Sequence, residues 1–246
     1  MKEAFSRSAL LLGEDAIATL SRTRVAVFGV GGVGGHCVEV LVRAGVGQLD
    51  LYDDDTVSAS NLNRQIAALH SNIGKPKAQV MADRAKDINP DCVINVISMF
   101  YLPSNADEVD LTQFSYVVDC IDTVTAKLEL ISRCSNAGIP IISAMGTGNK
   151  LDPTALRVSD ISKTKGCPLA RVMRKELRKR GIDHLKVVWS EEVPLTPLHP
   201  AQSQTPETNT RPGSSARRDT PGSLPFVPAA AGILMASAVV QDLLKK

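Results

Sequence analysis

An α/β fold, built as a Rossmann-like, doubly wound and mostly parallel sheet, is what the sequence predicts, and three observations carry it. Short β-branched runs alternate with stretches of helical periodicity through the first part of the chain. A glycine-rich turn, Gly29-Val30-Gly31-Gly32-Val33-Gly34-Gly35, joins the first such run to the first helical pattern. Asp53 closes the second run 19 residues beyond Gly34, the interval at which such folds set a carboxylate against a ribose.

The elements follow in order. Arg24–Gly29 (RVAVFG) is short, β-branched and ends on glycine, which predicts a buried parallel strand. Val38, Leu41 and Val42 keep helical spacing after the turn, and Gln48–Tyr52 (QLDLY) reads as the second strand. Lys77–Asn89 reads as a helix stopped by Pro90. Cys92–Ile97, Tyr116–Asp119 and Pro140–Ala144 read as three more strands, with the helix Ala126–Ala137, closed by Gly138, between the last two. The second half is expected to be less regular. Pro168–Arg180 reads as an amphipathic helix with Leu169, Val172, Met173 and Leu177 on one face. Ser190–Pro225 holds seven of the fourteen prolines and reads as a Pro/Ser/Thr-rich loop. Phe226–Leu244 is apolar but broken by Pro228 and Gly232, so it is expected to be a buried terminal helix and not a membrane span.

Composition narrows the classes. A chain of 246 residues can bury a core without staples, and 43% hydrophobic with 22% charged residues is ordinary for a folded soluble protein. Aromatic residues are only 4%, too few for a binder of single strands that works by stacking. The net charge of +2 supplies no global field for a polyanion, so any nucleic-acid footprint must be local. Five cysteines without a C-x-x-C pair exclude a Cys-rich zinc site, and no zinc is expected. Their odd number, and the lack of an apolar stretch in MKEAFSRSAL, predict a cytoplasmic location.

The chemistry-bearing motifs sit on this frame. Gly29, Gly31 and Gly34 satisfy G-x-G-x-x-G between a strand and a helix, where backbone approaches a phosphate. Asp54 and Asp55, by position alone, read as solvated loop acids. Ser60-Asn61-Leu62-Asn63-Arg64-Gln65 and Gly74-Lys75-Pro76-Lys77 then add Arg64 and Lys77 where a triphosphate extends past the glycine turn. A hydride-transfer site would want a nicotinamide slot there instead. Asp119-Cys120-Ile121-Asp122 ends a later strand at the ligand edge of the sheet, which places Asp122 to hold Mg²⁺. Asp119 reads as a structural acid.

GVGGVGG, DDDTVSASNLNRQ, GKPK and DCID, in this order and spacing, resemble the ubiquitin-activating-enzyme superfamily of MoeB and ThiF, whose members adenylate the C-terminus of a small carrier protein. The resemblance runs from about Phe5 to Met145 and resumes at Gly222–Leu244. It implies ATP and Mg²⁺ as cofactors. It also implies a phosphate cradle around Gly32, ribose at Asp53, ATP contacts from Ser60–Arg64 and Lys77, and metal at Asp122. The superfamily is dimeric, and an N-terminal arginine, here Arg7, reaches the partner's ATP. Candidate cofactor-binding residues are therefore Gly29, Gly31, Gly32, Gly34, Asp53, Asp55, Ser60, Asn61, Arg64, Lys77, Asp122 and Thr123. Arg7, Arg64, Lys77 and Asp122 are the candidate catalytic residues.

MoeB and ThiF carry two C-x-x-C pairs, absent here. Phe5-Ser6-Arg7, Leu12-Gly13-Glu14, Asp160-Ile161-Ser162-Lys163-Thr164 with Pro168-Leu169, and the Gly222-Ser223 ending are similar to the TcdA/CsdL branch, the tRNA threonylcarbamoyladenosine dehydratases. That likeness implies ATP-dependent cyclisation of N6-threonylcarbamoyladenosine beside the tRNA anticodon. Adenylation of a ubiquitin-like sulfur carrier protein is the alternative, and a non-catalytic ATP-binding module is a third reading. The expected partners are tRNA, a second copy of the chain, and sulfur-transfer proteins of the CsdA/CsdE type.

Arg157–Lys186 holds ten Lys or Arg against three acids, an electrostatic footprint for a phosphate backbone. Within it Lys163, Lys165, Arg171, Arg174, Lys175, Arg178 and Lys179 are the candidate tRNA contacts. Cys167 is expected to be an ordinary thiol, because ring closure by a nucleophile within the substrate needs none from the enzyme. Residues 1–150 are expected to form the ATP-binding part and 151–246 the substrate-facing part of one continuous domain.

Overall fold

The computed structural model describes residues 3–198 and 221–245. In chain order it contains α1 (Ser6–Leu12), α2 (Glu14–Leu20), β1 (Arg24–Phe28), α3 (Gly34–Ala44), β2 (Gln48–Tyr52), α4 (Lys77–Ile88), β3 (Val93–Ile97) and β4 (Tyr116–Asp119). Then come α5 (Val124–Ala137), β5 (Ile141–Ala144), β6 (Leu156–Asp160), α6 (Pro168–Arg178), β7 (Lys186–Ser190) and α7 (Phe226–Leu244).

The seven strands form one sheet in the order β3-β2-β1-β4-β5-β7-β6. Every pairing is parallel except β6 with β7. The centre is covered on both faces, which is why Val25, Ala26, Val27, Phe28, Val117 and Val118 are fully buried and why these strands read as unbroken apolar runs. From β1 the chain grows outward through β2 to β3, then returns to place β4 on the other side of β1. That reversal opens a crevice at the carboxyl ends of β1 and β4.

Two expectations need correction. The second half is more regular than its composition suggests, because β7 pairs parallel with β5 and β6 folds back on β7, extending the sheet past residue 150. The N-terminus is helical in both α1 and α2, so Arg7 lies on a helix where no local element was anticipated. The Ser190–Pro225 loop begins inside β7 at Ser190, and its residues 199–220 lie outside those described.

α7 is buried as expected: Val227, Pro228, Ala231, Gly232, Met235, Ala236, Val239 and Leu243 face the core. At Gly232 it meets the start of α3 backbone to backbone, since a side chain there would come within 2.3 Å of the Val33 carbonyl oxygen. The helix therefore backs the element that the glycine turn opens.

Candidate functional site

A cavity of about 500 Å³ occupies the crevice. Its lining includes Gly29, Gly31, Gly32, Asp53, Asp55, Asn61, Arg64, Lys77 and Asp122, so nine of the residues singled out in the sequence meet in one place. Phe28, Tyr52 and Tyr101 add an aromatic wall, with Phe28 and Tyr52 stacked at 4.2 Å between ring centroids. Gly146 to Gly148, Leu169, Pro221, Ser223 and Pro228 also line it.

The glycine turn is shaped by two constraints. Gly29 takes a φ of +85°, which L side chains resist, and a side chain there would lie 2.8 Å from the Cys120 carbonyl oxygen. Asp53 Oδ2 accepts the Val30 N–H at 2.6 Å, and its Oδ1 accepts the Asp55 N–H at 2.8 Å. The carboxylate thus braces the turn as well as facing the cavity. Burial pushes the Asp53 carboxyl above its usual range, against the two backbone bonds and the Lys77 ammonium, which favour the charged form. Among the described residues no side chain caps the start of α3, and although the Gly35 N–H is taken by the Gly31 carbonyl at 2.9 Å, the positive end of the helix faces the cavity where an anion would sit.

The cations come from neighbouring elements. Lys77, the first residue of α4, places Nζ 2.9 Å from Asp55 Oδ2. Arg64 curls through one nitrogen, which donates to the Ser60 carbonyl at 2.7 Å and to Asn63 Oδ1 at 2.9 Å, leaving the rest of its fork uncommitted among the described residues. Asp122 is exposed, and its polar contact among the described residues is the Thr123 hydroxyl, which donates at 3.3 Å. A carboxylate with open oxygens, beside cations and uncapped amides, fits Mg²⁺ held jointly with phosphate.

Other expected residues lie apart. Gly34 packs under the turn, where a side chain would strike the Gly29 carbonyl oxygen. Ser60 is exposed and bonds Ser58. Thr123 precedes α5, and Arg7 sits exposed on α1, outside the cavity lining of its own chain. Cys167, 4% exposed, lies behind Gly146, its Sγ 3.8 Å from where a side chain on that glycine would begin. In the basic segment, Lys163, Lys165, Arg171, Lys175 and Arg178 are exposed. Lys179 pairs with Glu176 at 2.7 Å. Arg174 turns inward, donating to the Thr164 carbonyl at 3.0 Å, because its position on α6 faces the preceding loop.

Two residues escaped the sequence reading. Gln65 is buried at the cavity beside Gly31, and its Oε1 has no partner among the described residues. Lys127 is fully buried and pairs with Asp119 at 2.9 Å. Its phase was a usable signal, since it shares the apolar face of α5 with Leu130, Ile131 and Cys134.

Comparison with known proteins adds to this geometry. A model of the ThiF family matches residues 5–246. The tRNA threonylcarbamoyladenosine dehydratase of Bacillus subtilis is 40% identical over the whole chain, which covers 96% of that protein. Crystal structures of the Escherichia coli tRNA N6-threonylcarbamoyladenosine dehydratase, in complex with AMP and with ATP, superpose with TM-scores of 0.86 and 0.85 at 33% and 32% identity. Each alignment covers 98% of this chain and 94% of the other. The molybdopterin-synthase adenylyltransferase of Salmonella typhimurium is 37% identical over 141 residues, 56% of each chain.

Proposed function

The chain belongs to the ThiF family, and from that membership we propose that it is an ATP-dependent tRNA threonylcarbamoyladenosine dehydratase. The observation that carries the reaction is the gathering, in one cavity, of the glycine turn, Arg64, Lys77 and Asp122, with no cysteine but a partly buried one among the described lining residues. The cysteine in the lining is Cys120, and burial pushes its thiol far above the usual range. A site so furnished activates a carboxylate and leaves the second step to the substrate.

The balance is simple. The threonyl carboxylate oxygen attacks a phosphorus of ATP and displaces its phosphate leaving group, forming a mixed anhydride. A nucleophilic atom of the same side chain then attacks the carbonyl carbon and loses its proton. The phosphorylated oxygen leaves with the electron pair of its C–O bond, so the nucleoside loses the elements of one water. Lys77, Arg64 and the opening amides of α3 oppose the charge that gathers on the phosphates. Asp122 would hold Mg²⁺, which supplies further charge neutralisation when bound.

The active species is a homodimer. Arg7 is free of partners among the described residues and shares α1 with Leu10 and Leu11, which are 86% and 88% exposed, a combination suited to a partner surface. The exposed cations around α6 meet the tRNA backbone, and these substrates put the reaction in the cytoplasm. The test is mass spectrometry of nucleosides from threonylcarbamoyladenosine-bearing tRNA incubated with the purified chain, ATP and Mg²⁺. The expected product is lighter by one water, and unchanged nucleoside overturns the assignment. A ubiquitin-like carrier protein offered in parallel should draw no adenylate.

A further inference from the structure

Asp122 projects from the four-residue loop, 120–123, between β4 and α5, and among the described residues its own side chain is held by nothing more than the Thr123 hydroxyl at 3.3 Å. What fixes the loop lies behind it. Lys127 donates from Nζ to the Ile121 carbonyl at 3.0 Å and sits 2.9 Å from Asp119 Oδ2, with both side chains fully buried. Asp119 also accepts the Ser143 hydroxyl at 2.6 Å and, on Oδ1, the Ile121 N–H at 3.1 Å. Both backbone polar groups of Ile121 are therefore taken. On the other side the Cys120 N–H donates to the Phe28 carbonyl at 2.8 Å, and the loop presses against Gly29.

A buried ion pair is a poor way to gain stability, because desolvation offsets the attraction and apolar replacements often do as well. What an apolar pair cannot do is grip a carboxylate and a loop carbonyl at once. We propose that Lys127 is a positioning residue: acting through Asp119 and the Ile121 carbonyl, it holds Asp122 against the glycine turn and so sets how strongly divalent metal and ATP bind together. The proposal rests on the reading of Asp122 as the carboxylate that faces the metal.

The test is calorimetric titration of ATP into the full-length protein, with Mg²⁺ and in EDTA. Lys127→Met alone leaves Asp119 unpaired in the core, so Asp119→Asn/Lys127→Met is the principal variant and Lys127→Gln the second. In whichever of the two unfolds cooperatively, the Mg²⁺-dependent gain in ATP affinity should fall by about tenfold, while metal-free affinity stays within about threefold. Lys127→Arg should recover most of the coupling. A folded variant with wild-type coupling overturns the role of Lys127. Asp122→Ala, measured alongside, separates the two readings: if it keeps full coupling, the assignment of Asp122 fails, and this inference falls with its premise.

Discussion

Two aspartate–lysine pairs serve the cavity, each closed at 2.9 Å, and their surroundings differ. Lys77 and Asp55 line the opening, and the Asp55 side chain is 39% exposed. Asp119 and Lys127 have no exposure at all. The Lys77 ammonium is itself only 7% exposed, but its carboxylate partner is half open, so it can exchange that partner for a phosphate at lower cost than a pair sealed on both sides. A sealed pair cannot be exchanged, because either charge left alone in the core is heavily penalised. The same two residue types thus supply a movable charge in one place and a fixed frame in the other.

Breaking the sealed pair should have the largest effect. Asp119→Ala should lower the unfolding free energy by about 3–5 kcal/mol, read from the urea midpoint, because Lys127 keeps its charge without its partner. Breaking the open pair should separate activity from stability. Lys77→Ala should cut ATP-dependent turnover about a hundredfold while leaving the urea midpoint close to wild type, as loss of one charge-stabilising donor does. If the two variants lose stability equally, the contrast between the pairs is wrong.

The origin of the remaining cation sharpens the comparison. Arg7→Ala should also be defective, and mixing it with Lys77→Ala under subunit exchange should restore about a quarter of wild-type activity. Half the dimers would then carry one site with both residues intact. No recovery would remove Arg7 from the partner's site. Cys167→Ser, which touches neither pair, should retain activity within about twofold, as expected of a buried thiol without a covalent role.

The smallest effect concerns acid. Burial opposes ionisation of Asp242, but its bonds from Lys186 and Tyr116 outweigh that and hold the carboxyl below its ordinary value. Its stabilising contribution is therefore present above the unfolded carboxylate pKa and is lost as pH falls through the folded one. The stability gap between wild type and Asp242→Asn, below about 1 kcal/mol near neutrality, should close as the solution is acidified through that window.

The strands around the crevice were legible because each is a short apolar run ended by a glycine or an aspartate. Tyr116–Asp119 and Gln48–Tyr52 fall where the pattern puts them. The cavity residues were legible for a related reason, since Gly29, Arg64, Lys77 and Asp122 lie in four short motifs next to strand or helix ends. Lys127 could have been flagged as buried from its phase on the apolar face of α5, but its role was not legible until its partner, Asp119, on another element, was known. Arg174 misled in the opposite sense: in a run of cations nothing local marks the one that turns inward to Thr164. β6 and β7 were missed because their pairing is long-range and their sequences, LRVSD and KVVWS, mix polar with apolar residues. The grouping of residues 1–150 and 151–246 remains a proposal about roles, as one sheet runs through both.

The contact at Gly232 has a bearing on how the protein is made. α7 is translated after every strand of the sheet, yet it covers the opening of α3, and its Pro228 forms part of the nucleotide cavity. A nascent chain that has emerged only through β7 can pair its strands but has no finished pocket. ATP therefore cannot stabilise the emerging chain by binding until the helix has cleared the ribosome and docked. The order of synthesis thus delays ligand-assisted folding until the closing helix is in place.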